Sequence, residues 1–278
     1  MSRMILPVKR DVIFKIYFAD ERNIEFLTEF LKATLPIPAE EYEELVIVDP
    51  HLIRDFSDDK LGIVDVKLKT VSGKTIHIDI QVAPLPYMKS RITYYDAKMI
   101  SEQIGKSEDY QSIKQVISII ITEEEFIEGS SNCHHRFTMY DKANNIELTD
   151  IVEVHTLELC KVPPLQQEAF EIEDNHLYNW LRFIDAEEES ELEAVAKRDP
   201  IIKKAVLKLM ELSEDERTRI LLEKREKERM DSSVRESWAK KEQAIEIAKK
   251  MLKRKRPIDE IIEDTGLTQS EVKNLKSQ

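Results

Sequence analysis

Two acidic residues and an amide occupy positions from which they could hold a metal ion. Asp65, Asp79 and Gln81 lie in two short runs that alternate apolar and polar residues on either side of Ser72-Gly73. Period-two alternation around a glycine-containing turn is typical of a β-hairpin with one buried face. The other, polar face carries all three residues. Because carboxylate and amide oxygens are ligands of hard divalent cations, the pattern indicates a candidate metal site.

The register of this hairpin follows from the requirement that its apolar residues share one face. A two-residue loop would place Asp65 opposite Ile80 and mix the two faces. A three-residue loop, residues 71–73, keeps them separate and puts Gly73 where such loops favour a left-handed residue. Asp65 then lies opposite Asp79, with Cβ atoms roughly 5 Å apart. Facing like charges destabilise a sheet, so their presence favours a role in binding.

A purely structural explanation of the same residues stays open. On a solvated sheet face, Lys67 and Lys69 could neutralise the two acids without a bound ion. Lys67 could instead help to stabilise charge on a substrate. Glu25 and Glu29, in the first helical segment, could reach a metal on the sheet, but a solvated polar helix face is the better explanation for both.

Composition and cysteine content exclude several classes of protein. The 278 residues are 41% hydrophobic and 35% charged, and contain no apolar run long enough to span a membrane and no signal-peptide pattern at the start. Two cysteines, Cys133 and Cys160, do not make a disulfide framework, which favours a reducing cytoplasm. Cys133 is followed by His134 and His135, but no second ligand pair at suitable spacing supports a zinc site.

The charge is uneven along the chain. A net charge of −13 argues against a whole surface that binds nucleic acid. Residues 224–256, however, contain 13 Lys and Arg against 6 Asp and Glu. This asymmetry indicates separate tasks for the two parts of the chain.

The elements around the hairpin predict one sheet flanked by helices. A β-branched run over residues 115–122 predicts a strand buried on both faces, which can enter the sheet beside the hairpin after a crossover helix. Helices are predicted over residues 11–35 with a break near Asp20 or Asn23, 88–106, 176–184 with Trp180 and Phe183 buried, and 200–212; further strands are predicted over 45–49, 137–140 and 151–159.

Three side chains of the crossover helix have two possible roles. Arg91, Tyr94 and Lys98 lie off its apolar stripe. They could contact phosphate and stacked bases, or they could face water and pack against neighbours. The sequence does not decide between these roles.

The C-terminal part predicts helices only. From Ser213 to about Lys253 the pattern is that of one long charged helix, coiled with a partner or partly mobile. After it, two short helices joined by Gly266 resemble a helix-turn-helix, next to the basic residues 253–256. We therefore predict three segments: residues 1–185 as the principal domain, 186–256 as a charged helical extension and 257–278 as a helix-turn-helix-like tail.

Several segments together resemble the Rpn/YhgA-like recombination-promoting nucleases, also described as PD-(D/E)xK nuclease family transposases. The resemblance spans nearly the whole chain and rests on the order and spacing of residues 11–15, 64–67, 78–81, 91–98, 109–110, 158–161, 180–183 and 248–275. It implies an α/β fold with a PD-(D/E)xK restriction-endonuclease-like core, a mixed sheet flanked by helices, and an all-helical C-terminal extension.

The resemblance also implies roles for the three candidate residues. Asp65 matches the first metal-binding acid, and Asp79 matches the second, where the family usually has Glu. Gln81 stands where the general motif has Lys, and an amide can be neither a cation nor a base. The implied activity is cleavage of DNA phosphodiesters that depends on Mg²⁺ or another divalent cation, linked to recombination or mobile elements.

An alternative keeps the fold without the activity. The chain would then be a catalytically inactive nuclease-fold protein that binds DNA or protein. In either case DNA is the expected partner, self-association through the C-terminal helices is possible, and no membrane association is expected.

Overall fold

The structure, a computed structural model, describes residues 5–48, 66–105, 109–165, 175–215, 218, 220, 223–224 and 240–276. The chain divides into two compact units, Met1–Arg219 and Ile220–Gln278. The boundary predicted after residue 185 falls inside the first unit, between two of its helices.

A six-stranded mixed sheet forms the centre of the first unit. Its strands are β1 (Val46–Val48), β2 (Val66–Lys69), β3 (Thr75–Gln81), β4 (Val116–Thr122), β5 (His134–Asp141) and β6 (Ile146–Glu158). Its helices are α1 (Asp11–Phe18), α2 (Ile24–Thr34), α3 (Met88–Ser101), α4 (Asn175–Asp185), α5 (Glu189–Ala196) and α6 (Pro200–Glu214).

The strand order is β1-β2-β3-β4-β6-β5. The two pairs among β1, β2 and β3 are antiparallel, the pairs β3–β4 and β4–β6 are parallel, and β5 is antiparallel to β6. Helix α3 makes the crossover between β3 and β4. The predicted α/β fold, a mixed sheet flanked by helices, is confirmed.

The hairpin of β2 and β3 has the predicted register. Val66 pairs with Ile78 and Lys69 with Thr75. The loop is closed by the N–H of Thr70, which donates to the carbonyl of Lys74 at 3.0 Å. Gly73 has a φ of 88°, the left-handed conformation expected at this position of the loop.

The expectation of a single buried face on this hairpin is wrong for β3. His77 and Asp79, on its polar face, are only 3% and 7% exposed. Helix α3 accounts for this burial, because its Arg91 and Asp96 contact polar side chains of β3 and β4. A solvated face neutralised by lysines therefore does not describe Asp79. Alternation along a strand shows which residues share a face but not which element covers that face.

Aromatic packing anchors the helices of the first unit. Trp180 and Phe183 on α4 are fully buried, as predicted. The Trp180 ring lies 6.2 Å from both Phe18 on α1 and Phe30 on α2, measured between centroids. The predicted break between α1 and α2 is also confirmed: Asp20 accepts a hydrogen bond from the N–H of Arg22 there.

The predicted long helix from Ser213 is wrong at its start. Helix α6 ends at Glu214, and Asp215 has extended backbone angles. Its carboxylate accepts hydrogen bonds from both the N–H and the hydroxyl of Thr218, as an N-cap does. Much of the remaining predicted length lies outside the described residues.

Within its residues 240–276, the second unit forms a small three-helix cluster. It contains α7, described over residues 240–253, α8 (Ile258–Thr265) and α9 (Gln269–Lys276). Gly266 ends α8 with a φ of 67°, and Thr268 and Glu271 form a reciprocal cap at the start of α9. The pair of short helices is as predicted. Helix α7 lies within the long charged helix that was predicted to end near Lys253, but its packing against the pair was not predicted. The core of the cluster consists of Ala248, Ile261, Leu267 and Val272.

Candidate active site

Two of the three predicted site residues lie side by side on β3. The side-chain amide of Gln81 donates from Nε2 to Oδ1 of Asp79 at 3.0 Å. This contact orients the Asp79 carboxylate. Asp65 lies outside the described residues, so its pairing with Asp79 stays a prediction.

Burial and one arginine set the electrostatics of Asp79. Burial raises the pKa of the Asp79 carboxyl above its usual value, Arg91 and Gln81 lower it, and nearby Asp11 raises it. Nη2 of Arg91 lies 3.5 Å from Oδ2 of Asp79. A buried carboxylate with so loose an ion pair gains from any cation that binds it directly.

The donor atoms at this position fit a hard divalent cation. Asp79 and Gln81 can supply a carboxylate and an amide oxygen, which are the ligand types of Mg²⁺ and Ca²⁺. Among the residues that the structure describes, no three His, Cys, Asp or Glu side chains form a metal-binding group. The remaining predicted protein ligand is Asp65.

A buried polar chain beside Asp79 was missed by sequence reasoning. On β4, the hydroxyl of Ser118 donates to Oδ1 of Asp96 from α3. The same hydroxyl oxygen lies 2.8 Å from Nδ1 of His77 on β3. One signal was available: a serine within a strand buried on both faces must find a hydrogen-bond partner.

Burial shifts both titratable ends of this chain. The pKa of His77 is lowered to about 3, by burial first and then by Lys67 and Arg91. Burial raises the pKa of Asp96 to about 6, against the opposing hydrogen bond from Ser118. The site is thus lined by a neutral histidine and an acid that titrates near neutrality.

The three side chains of α3 that had two possible roles differ in position. Arg91 points to Asp79 and lies over the ring of Tyr95, 5.7 Å from its centroid. Tyr94 is 55% exposed. Lys98 lies 3.9 Å from Glu102 one turn further along the helix. Of the three, Arg91 is therefore the one placed in the candidate site.

The two acids of α2 make contacts away from the sheet. Glu25 pairs with Lys204 of α6 at 3.0 Å, and Glu29 pairs with Lys32 at 2.9 Å. These are surface contacts of a polar helix face, as the structural explanation predicted.

The side chains of Cys133, His134 and His135 do not meet at a common site. The thiol of Cys133 is buried and hydrogen-bonded to Tyr178. Nε2 of His134 lies 2.8 Å from Nδ1 of His155, while Nε2 of His135 lies 2.7 Å from the hydroxyl of Ser130. Each of the three side chains therefore has its own neighbour.

Comparison with known proteins identifies the family of the chain. The model of the family described as PD-(D/E)XK nuclease family transposase matches residues 8–237. No curated protein and no solved structure matches the chain. None of the described helices is long and apolar enough to cross a membrane. Because the match covers most of the 278 residues, including every strand of the sheet and the candidate site, the chain belongs to the PD-(D/E)XK nuclease family transposases.

Proposed function

We propose that this protein is a metal-dependent DNA endonuclease linked to recombination or mobile elements. Membership of a nuclease family supports the reaction class. The observation that carries the proposal is Asp79 itself: a buried carboxylate, oriented by Gln81 and only loosely paired with Arg91. A carboxylate in this state is a ready ligand for a divalent cation.

Each residue of the candidate site would have its own role in the reaction. Asp79 and Asp65 would hold the cation, Mg²⁺ or another divalent ion, and Gln81 would keep Asp79 in its ligating orientation. The bound ion would lower the pKa of a water molecule and offset charge on the scissile phosphate. Lys67, half-buried opposite His77, could add positive charge to the same face.

Plasmid nicking tests this proposal directly. Purified protein is incubated with supercoiled plasmid and Mg²⁺, Mn²⁺ or EDTA, beside the Asp65→Asn and Asp79→Asn variants. We expect cleavage with either metal, none with EDTA, and a loss of about 10²-fold or more in each variant. Asp150→Asn, on the distal part of β6, is the matched control and retains activity. Cleavage that persists in both site variants would contradict the assignment, provided that their unfolding curves match the parent protein.

Two observations favour the inactive alternative. Arg91 already neutralises part of the charge on Asp79, and Gln81 replaces the lysine of the general motif. If this alternative holds, the protein binds DNA but does not cleave it with any divalent metal. DNA binding without nicking under any divalent metal would favour this inactive alternative over the endonuclease.

We also propose that the second unit engages DNA. Its three-helix cluster contains a helix pair joined at Gly266, and α7 ends at the start of the basic residues 253–256, all four of which are exposed. The family match ends at residue 237, before the described part of this cluster. Self-association through the C-terminal helices and a cytoplasmic location remain predictions from the sequence.

A further inference from the structure

Arg91 makes fewer contacts than its burial requires. Its side chain is 11% exposed, and the distance from its Nη2 to Asp79 Oδ2, 3.5 Å, is too long for a good hydrogen bond. Its Nε is buried and has no hydrogen-bond partner among the described residues. A guanidinium group carries five N–H donors, and a buried donor without an acceptor costs about 1–3 kcal/mol. The residue therefore has donor capacity that nothing described around it uses.

The available N–H donors of Arg91 indicate which kind of ligand could bind there. A guanidinium fork matches the two oxygen atoms of a phosphate group, and Arg–phosphate pairs are often bidentate. The Tyr95 ring beside the guanidinium holds it over the site. The ligand that fits these donors is thus an anion with several acceptor oxygens, such as the phosphate of a nucleic acid backbone.

Arg91 also competes with any metal ion for Asp79. Both cations approach the same carboxylate, whose Oδ1 already accepts from Gln81 and whose Oδ2 lies towards Arg91. A divalent cation bound to Asp79 would repel the guanidinium across a distance of a few ångströms. Repulsion at that range, in a site with little water, is strong enough to change the partner of a flexible side chain.

We propose that Arg91 is the phosphate-binding residue of this site and exchanges partners during the reaction cycle. In the resting protein it pairs with Asp79. When a divalent cation binds Asp79, Arg91 turns to a non-bridging oxygen of the DNA phosphate. This inference rests on the proposed function, because it assigns the partner of the same site. It predicts that Arg91 opposes metal binding without DNA and promotes DNA binding with metal.

Two equilibrium measurements separate these opposite effects. Mn²⁺ binding to the full chain without DNA is followed by titration calorimetry, and binding of a short duplex is measured in Ca²⁺. For Arg91→Gln we expect tighter Mn²⁺ binding, because the competing cation is gone, together with duplex binding weakened by about tenfold and slower nicking. Arg91→Lys keeps the charge but not the fork. It should bind Mn²⁺ like the parent protein and still lose duplex affinity.

A control on the same helix tests whether charge alone is responsible. Lys98→Gln removes one positive charge from α3, but Lys98 neighbours Glu102 and not Asp79. It should leave Mn²⁺ affinity unchanged. Unfolding curves for every variant confirm that the fold persists.

The outcomes distinguish this inference from the proposed function. If the parent protein binds Mn²⁺ through Asp79 and nicks DNA, but Arg91→Gln shows unchanged or weaker Mn²⁺ binding, only the exchange is overturned. Unchanged duplex affinity in Arg91→Gln overturns the phosphate assignment. If the parent protein does not bind Mn²⁺, or if Asp79→Asn binds it as tightly as the parent protein, the proposed function fails and this inference fails with it.

Discussion

Nδ1 of His77 and the hydroxyl oxygen of Ser118 lie 2.8 Å apart across the parallel pair β3–β4. Since the Ser118 hydroxyl donates to Asp96, His77 must carry its proton on Nδ1 whenever Asp96 is ionised. The contact ties two central strands and the crossover helix together, two residues along β3 from Asp79. The candidate site is therefore supported by a polar chain that is itself sensitive to pH.

Asp96 gives the first prediction. Its pKa is about 6 in the folded protein against 3.8 for an ordinary Asp, so the folded state binds more protons between these values. The stability contributed by protonated Asp96 is full below pH 4 and is lost as the pH rises through 6. Asp96→Asn cannot titrate and should gain up to about 3 kcal/mol relative to the parent protein over this window. Urea unfolding from pH 4 to 7.5 measures it, and a constant difference would contradict the shift.

His77 should act in the opposite direction. Its pKa falls to about 3 from 6.5, so the unfolded chain binds the proton more readily. The stability from neutral His77 is present above pH 6.5 and is lost as the pH falls towards 3. Between pH 7 and pH 5 this loss amounts to about 2 kcal/mol, and His77→Gln should lack it. The same urea series detects the difference. If the parent protein and His77→Gln lose stability in parallel below pH 7, His77 is not held neutral.

Gly73 allows a test of the hairpin loop. Its φ of 88° is strained for residues with a Cβ, although an added Cβ would meet only Lys114 Cγ at 3.6 Å, an ordinary contact. Gly73→Ala should therefore destabilise the protein by about 1–2 kcal/mol through backbone strain alone. Gly73→Asn is the matched variant and should cost less, because Asn adopts this conformation more readily. Equal losses of unfolding free energy in both variants would argue against strain as the cause.

The basic end of α7 should govern the salt dependence of DNA binding. Changing Lys253, Arg254 and Lys255 to Gln removes three exposed charges of the second unit. If these residues contact phosphates, the slope of log affinity against log salt should become shallower by about 2–3. Fluorescence anisotropy with a labelled duplex, in the Asp79→Asn background, measures the slope without cleavage.

The matched control removes three charges from the first unit. Lys197, Lys203 and Lys208 lie on or next to α6; the first two are exposed and Lys208 is half-buried. Their replacement by Gln should leave the slope nearly unchanged. A similar change in both triple variants would mean that total charge, and not the second unit, controls DNA binding.

The sequence by itself determined the register of the hairpin that carries Asp79. Alternation on both sides of Gly73 was enough to predict the pairing of Val66 with Ile78, because a slip of one residue would expose every apolar side chain of the hairpin. The β-branched run at residues 115–122 likewise indicated a central strand, observed as Val116–Thr122. The pairing of Asp65 with Asp79 was predicted from the same register and stays a prediction.

Only the tertiary structure decided what covers the polar face of β3. Arg91 and Asp96 reach Asp79 and Ser118 because α3 crosses that face. The sequence marked Arg91 only as one of three side chains off the apolar stripe, without its partner, and it did not single out Asp96. The packing of α7 was not predicted for a similar reason, since its apolar side chains are few and find their partners in α8 and α9. Periodicity records how neighbours along the chain share a face. Which distant element buries that face depends on packing among many residues, which no short stretch of sequence contains.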